Sequence, residues 1–533
     1  RAYEMSGTWK EFVSSQRGPP DFSESVRHLK HPAADLLKHL RNRGAPIPMS
    51  NPVWTHRRRE EALKRGCHQS ANLHMEFVRE EFIDFINKKF WTILPYSAVK
   101  DLPNVRLSPL GVVPQRKRRP RLIVDLSFHE VNQECLPVAP NDAMQFGRAL
   151  QRILQRILMA NPQHGPVYIS KIDISDGFYQ IQLSPRDVPK LGVLLPRKEG
   201  EESMVAFPLV LPMGWVNSPP YFCAATETAA DLMNARLRRR QEYGPHRLEE
   251  EALTGGDSKP IPSSASGSRA QQIHPPRYRR PLQYVDDFIA LLQGGAQEQR
   301  NTMRVLLSTL DDIFRPVIPS DDPSRQEPAS QKKLRKGDAS WSTRKVVLGW
   351  VIDIVAGTLE LPPHRQERLR AILADICPSQ KRASVKKWHR LLGELRSMTL
   401  AIPGSRGLFS VLQEALKYDQ HGKPCRVRLT RAVHQFLADF RRLADNLESR
   451  PTRIAEIFPR TPSVLGATDA SGRGMGGIAF VHLKDGRVDP ILWRNTFPKT
   501  IVKDFVSFEN PTGTVSNSDL ELAATVIQPV SPG

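Results

Sequence analysis

The sequence predicts an α+β protein, and three observations carry that expectation. From "LSPLGVVPQ" to "LLQGG" the chain alternates strand-like and helix-like segments. After "LGWVIDIVAGTLELPP" the pattern turns helical through "LRAILADI", "KKWHRLLGELRSMTLA" and "GLFSVLQEALK". Strand-like segments then return at "SVLGATDASGRGMGGIAFV". At 533 residues the chain has room for several separately cored domains. The compositional breaks divide it into a basic N-terminal region over 1–95, an α+β region over 96–365, a helical region over 366–450 and a C-terminal α/β region over 455–533. No internal repeat is visible.

The N-terminal region is polar, with apolar residues at helical spacing in "MEFVREEFIDFINKKF". Within the α+β region, residues 236–280 are rich in Arg, Pro, Ser and Gly and read as a solvated, mobile insertion. A second segment, "RPVIPSDDPSRQEPASQKKLRKGD", has the same character.

Charge narrows the function classes. There are 77 Lys+Arg against 56 Asp+Glu, a formal net charge of +21. Such an excess favours a polyanionic partner, because phosphate contacts release counterions and so drive binding. A basic protein without any such partner has the same composition, which leaves both readings open. Cys67, Cys135, Cys223, Cys377 and Cys425 are scattered, with no CxxC pair, so a structural zinc site or disulfide framework is not expected and a reducing, intracellular setting (cytoplasmic or nuclear) is. No apolar run approaches the length of a bilayer span, so no membrane partner is expected. The chain begins with Arg rather than Met, as a fragment or a piece of a longer polyprotein would.

Two segments concentrate the chemistry. In "RRPLQYVDDFIALLQ" the adjacent Asp286 and Asp287 interrupt an apolar run, which suits a β-hairpin with the aspartates at its tip. In "VYISKIDISDGFYQIQL" a β-branched strand runs into Asp173. Taken singly, each aspartate reads as a turn former or a cap, and Asp176 reads as a cap on the segment after it. Together they match a reaction that needs one carboxylate at a strand end and two on a neighbouring hairpin: two divalent metals held about 3.5–4 Å apart activate an attacking hydroxyl and stabilise a leaving pyrophosphate. Clustered like charges are costly unless cations sit among them.

"YVDD" after "KIDISDGFYQI" resembles motifs C and A of the reverse transcriptases, and further pieces keep the family's order. "SPLGVVPQRKRRPRLIVDLSFHEVN" resembles the fingers segment, "LPMGWVNSPPYF" motif B, and "KVVLGWVIDIVAGTLELP" the primer-grip hairpin. The helices at 385–418 stand where a thumb would, and "LGATDASGRGMGG" with "SNSDLELAA" resembles the start of an RNase H domain. The resemblance spans roughly residues 50–528 and is nearest to retrotransposon enzymes of the LTR or DIRS-like type. It implies a right-hand polymerase (fingers, palm and thumb, with an antiparallel palm sheet) followed by a partial RNase H-like α/β domain.

The resemblance also assigns residues. Asp173, Asp286 and Asp287 would hold two Mg²⁺ ions, with Mn²⁺ as a substitute. The backbone carbonyl of Ile174 would add an oxygen. Phe178 stands where a ring blocks the ribose 2′-hydroxyl; the alternative is an ordinary core aromatic. Arg121 would contact the triphosphate of a dNTP through bidentate bonds, with Lys117 and Arg119 as rivals in a basic loop. Gly214 would let the backbone approach the nascent base pair, and Met213 replaces the glutamine often found in retroviral enzymes. Ser218-Pro219 reads as a helix N-cap and first position, with Phe222, Ala225, Ala229 and Leu232 following at helical spacing. Leu348, Gly349 and Trp350 match the primer-grip turn, though a plain hairpin turning at "AG" is also consistent. Trp388, with Lys386 and Lys387, would lie on a thumb helix facing the duplex, or on an amphipathic helix with a basic outer face.

Asp469 and Glu521 match the first two RNase H carboxylates, although Ser518 and Glu521 also form an S-x-x-E capping box. No acidic residue comes after Glu521, so the third carboxylate is lacking and efficient RNA cleavage is not expected. The expected activity is RNA- and DNA-directed DNA synthesis on an RNA template or DNA primer–template duplex. Two alternatives remain, an RNA-directed RNA polymerase and a non-catalytic nucleic-acid-binding remnant of a polymerase.

Overall fold

The computed structural model describes residues 2–17, 29–50, 53–115, 118–139, 149–255, 279–284, 287–314, 327–402, 405–416, 426–447, 449–458, 464–482 and 487–527. It contains two units, Arg1–Thr452 and Arg453–Gly533. Both mix helix and sheet, as expected. Among the described residues no helix is long and apolar enough to cross a membrane.

The first unit is organised around a three-stranded antiparallel sheet. Its middle strand, Asp287–Leu292, pairs with Tyr168–Asp173 on one side and Arg279–Tyr284 on the other. Phe288 to Leu292 are all buried, as suits a strand covered on both faces. Helix Ser218–Arg238 packs against the Arg279–Tyr284 strand and against helix Ala296–Phe314. The outer edge of Tyr168–Asp173 would otherwise present unpaired backbone groups. Residues 328–342 cover it as a strap: Ser175 N donates to Pro328 O (2.7 Å), Ser330 N to Asp173 O (2.9 Å), Lys171 N to Asp338 O (3.1 Å) and Ile169 N to Ser342 O (2.8 Å).

Around this lie a mixed sheet of Trp91–Pro95, Met204–Pro208, Gly192–Leu194 and Leu107–Ser108, and two hairpins, Leu110–Gln115 with Arg118–Val124 and Arg344–Val347 with Trp350–Asp353. Helices Pro363–Ala374, Val385–Met398, Ser405–Glu414 and Arg431–Asp445 pack on one another. In the second unit, strands Val464–Ser471, Gly474–His482 and Val488–Asn495 form an antiparallel sheet, with helix Asn517–Ile527 against the first strand. Ala470, Met475, Phe497, Leu520 and Ala524 make its small core.

Several expectations need correction. The insertion is not wholly solvated, because its first part, through Gly255, is built into the fold. Leu248 and Ala252 are buried, and helix Glu249–Thr254 sits in a charge network. Glu249 takes Arg304 Nε at 2.7 Å and Arg300 Nη1 at 2.7 Å. Arg247 reaches Asp311 Oδ1 (2.8 Å) and Glu327 Oε2 (2.7 Å), while His246 Nε2 lies 3.0 Å from Asp311 Oδ2. A Cβ on Gly255 would meet Leu334 O at 1.9 Å, so only glycine permits this approach to the strap. The rest of the insertion, 256–278, lies outside the described residues. Likewise, 327–338 of the second polar segment is the strap rather than a free loop.

Three further corrections are local. Helix Ser218–Arg238 has Asn217 at its cap position, with Asn217 Nδ2 donating to Leu136 O, and Ser218 turns its hydroxyl back to Pro212 O. The capping box before Asn517–Ile527 is Ser516 with Asp519, not Ser518 with Glu521: Ser516 N donates to Asp519 Oδ2 (2.7 Å) and Asp519 N to Ser516 Oγ (3.3 Å). Of the two readings of Trp388, the amphipathic helix agrees with the structure and an outward-facing ring does not. Trp388 is fully buried, and its Nε1 donates to Leu412 O at 3.0 Å, so it is a core residue of the helical group.

Candidate active site

The Tyr168–Asp173 strand forms because β-branched Ile169 and Ile172 pack into the interior. It delivers Asp173 as its last residue. In the pairing register Asp173 stands directly opposite Asp287, the first residue of its strand, which puts both side chains on one face. Both are nearly enclosed, with side chains 8% and 14% exposed. Asp286 lies outside the described residues, as does Lys117.

Two carboxylates this close in a poorly solvated place need positive charge. The chain supplies it from two lysines that sequence reasoning missed. Lys171, two residues before Asp173, reaches diagonally across to Asp287 Oδ1 at 3.1 Å. Lys333, on the strap, pairs with Asp173 Oδ1. Lys171 carries the signal of an i, i+2 same-face position in a strand. Lys333 carries none, because its meeting with Asp173 depends on the strap's long-range path.

Lys345 anchors the strap by donating to the carbonyls of Gly337 (3.1 Å) and Asp338 (2.8 Å), and burial pulls the pKa of its ammonium down to about 8. Ile174 is buried and bridges to Ala329 of the strap. Among the described residues there is no group of three or more His, Cys, Asp and Glu side chains able to hold a metal. The pair that is described, Asp173 and Asp287, offers only hard carboxylate oxygens that already attract cations. That donor set fits Mg²⁺.

The other site residues form small groups. Arg121 is exposed on its hairpin strand and brings Nη2 to 4.0 Å from Met213 Sδ. Gly214 has φ +95°, and a Cβ there would meet Val124 O at 2.6 Å. Asn132, on the short helix Val131–Glu134 that follows the hairpin, fastens this loop, donating from Nδ2 to Gly214 O (2.9 Å) and accepting at Oδ1 from Val216 N (3.0 Å). Arg121, Met213 and Gly214, three residues expected to meet one ligand, thus lie together. Phe178 is half-buried and edge-on to Phe222 at 5.2 Å between centroids, which links the turn after Asp173 to the helix after Gly214.

Leu348 and Gly349 form the two-residue turn between Val347 and Trp350. In the second unit Asp469 is exposed on its strand and Glu521 half-buried on the packed helix. Those two elements touch through Thr468 and Thr525, whose hydroxyls are 3.2 Å apart.

No protein-family model matches the chain, and no curated protein matches it. Among solved structures, the foamy viral protease-reverse transcriptase dRH in complex with double-stranded DNA aligns with TM-score 0.48 and 14% identity, over 97% of this chain and 70% of that one. The foamy viral protease-reverse transcriptase with an RNA/DNA hybrid gives TM-score 0.48 and 14% identity, over 97% of this chain and 54% of that one. A further complex with double-stranded DNA gives TM-score 0.43 and 14% identity, over 93% and 82%.

Proposed function

We propose that the chain is an RNA- and DNA-directed DNA polymerase of the retrotransposon type, with the three-stranded sheet as its palm. The observation that carries this reading is the direct register opposition of Asp173 and Asp287, enclosed and compensated by lysines. A fold has no structural reason to bury two facing carboxylates, and a site for divalent cations supplies one. Asp173, Asp286 and Asp287 would hold Mg²⁺.

When bound, the ions would raise the nucleophilicity of a primer 3′-hydroxyl and stabilise charge on the departing pyrophosphate. Arg121 would bind the triphosphate of the incoming dNTP through its planar guanidinium. Gly214 would leave room for the nascent base pair, and the ring of Phe178 would crowd a 2′-hydroxyl. The Leu348–Gly349 turn would hold the primer end in line for attack on the α-phosphate. The helical region over 366–450 would serve as thumb and connection. Asp469 and Glu521 would be two carboxylates of an RNase H-like site.

A second reading is favoured by one observation: lysines engage both described aspartates, as they would in a nucleic-acid-binding protein that no longer uses metal. Primer extension on an RNA template with dNTPs and Mg²⁺ separates the two. Extension by the intact chain but not by Asp173→Asn supports the polymerase. Extension only with rNTPs overturns DNA synthesis, and salt-sensitive duplex binding without extension supports the second reading.

A further inference from the structure

The turn at Leu348–Gly349 is unusual for its composition. Both residues have positive φ, +51° and +78°, the pattern of a two-residue turn that matches strand twist and normally carries Asn-Gly or Gly-Gly. A leucine in the left-handed region is strained, because its Cβ crowds the following carbonyl oxygen. Hairpin pairing from Arg344 opposite Asp353 to Val347 opposite Trp350 defines the turn, but not where its tip lies relative to the helices beyond.

One side chain makes that second connection. Arg365, in the first turn of helix Pro363–Ala374, donates from Nη1 to Gly349 O at 2.9 Å. From Nη2 it donates to Ser397 O at 2.8 Å and Ser397 Oγ at 3.1 Å, at the C-terminal end of helix Val385–Met398. Its guanidinium also lies 4.9 Å from the centroid of the Trp350 ring. Burial lowers its pKa, so it is held partly desolvated by these contacts. A single planar fork therefore joins the strained tip to two helices, a geometry that lysine's point charge cannot reproduce.

We propose that Arg365 is a positioning residue that ties the Leu348–Gly349 turn to the helical group and so fixes where the turn presents a primer terminus. This rests on the polymerase reading. The hairpin's base is fixed separately, through Lys345 and the strap beside the Asp173 strand. Arg365 fixes the tip, so a shift of the helices on a bound duplex is passed to the primer end.

The test is single-turnover primer extension with the full chain, alongside the duplex Kd, for Arg365→Ala and Arg365→Lys. Loss of the tie should lower the nucleotide-addition rate by about 10–100-fold, the scale expected for misplaced reactants, with duplex Kd unchanged. Arg365→Lys, which can regain the Gly349 bond but not the fork, should recover part of the rate and also guards against misfolding of the alanine variant. Wild-type rates in both variants, or a loss explained by weaker duplex binding, would overturn the inference and leave the polymerase reading intact. No extension by the wild-type chain would overturn that reading, and this inference with it.

Discussion

Asp173 and Asp287 face each other across two hydrogen-bonded antiparallel strands, each with a lysine on its carboxylate. Directly opposed like charges destabilise a sheet. The arrangement is stable only as long as cationic groups occupy the space between and around the two acids.

The lysines should therefore substitute for metal in the metal-free chain. A Lys171→Ala, Lys333→Ala variant should lose about 1–3 kcal/mol, discounted for the partial exposure of Lys333. Saturating Mg²⁺ should restore it, since a ligand at a hundredfold excess over its Kd contributes about 2.7 kcal/mol. Thermal denaturation with EDTA and with Mg²⁺ checks this: the variant should show the larger metal-dependent rise in Tm. Equal rises would remove the lysines from the account.

The charge network of the insertion should control acid stability. Arg304 and Arg300 hold Glu249 down to about 2, against an ordinary value of 4.5. A depressed carboxylate contributes stability that is fully present above the ordinary value and is lost as pH falls from about 4.5 towards 2. Melting curves across that window should show wild type losing stability steeply. Glu249→Gln should be less stable at neutral pH and flatter on acidification. Parallel curves would contradict the assignment.

Much of this site is legible in the sequence, and the parts that are not share a physical cause. The strand ending at Asp173, the hairpin around Asp287 and the glycine at 214 announce themselves through period-two alternation and turn chemistry, which are local. Lys333, Arg247 and Arg365 matter through partners 160, 64 and 16 residues away or more. A lysine in a polar, proline-containing segment looks the same whether it is solvated or seated on Asp173. For Trp388 the two lysines beside it allow an outward or a buried ring, and helical spacing decides for the buried face it shares with Leu391, Leu392 and Leu395. The two displaced caps differ by one or two residues, where several Ser, Asn and Asp side chains compete for the same amide groups.

Gly214→Ala should be severe. The added Cβ meets Val124 O at 2.6 Å, and the backbone there has φ +95°. A cost of about 1–3 kcal/mol should appear as a lower Tm, with dNTP KM raised because Met213 shares this loop and Arg121 lies against it. An alanine variant with unchanged KM would separate the loop from nucleotide binding.

Phe178→Ala should relax sugar selection. Removing a ring packed on Phe222 opens space beside the turn after Asp173. Discrimination against rNTPs should fall by about 10–100-fold, the range that pocket shape alone supplies, together with some loss of stability. Competing dNTP and rNTP incorporation assays read it directly, and unchanged selectivity would return Phe178 to the core.

Mn²⁺ binding followed by electron paramagnetic resonance reads directly whether Asp173 and Asp287 hold a divalent cation. The intact chain should bind Mn²⁺ saturably, with Mg²⁺ displacing it and with binding lost in Asp173→Asn, Asp287→Asn. Equal binding by the wild type and the double variant, or none by either, would contradict a divalent-cation site there.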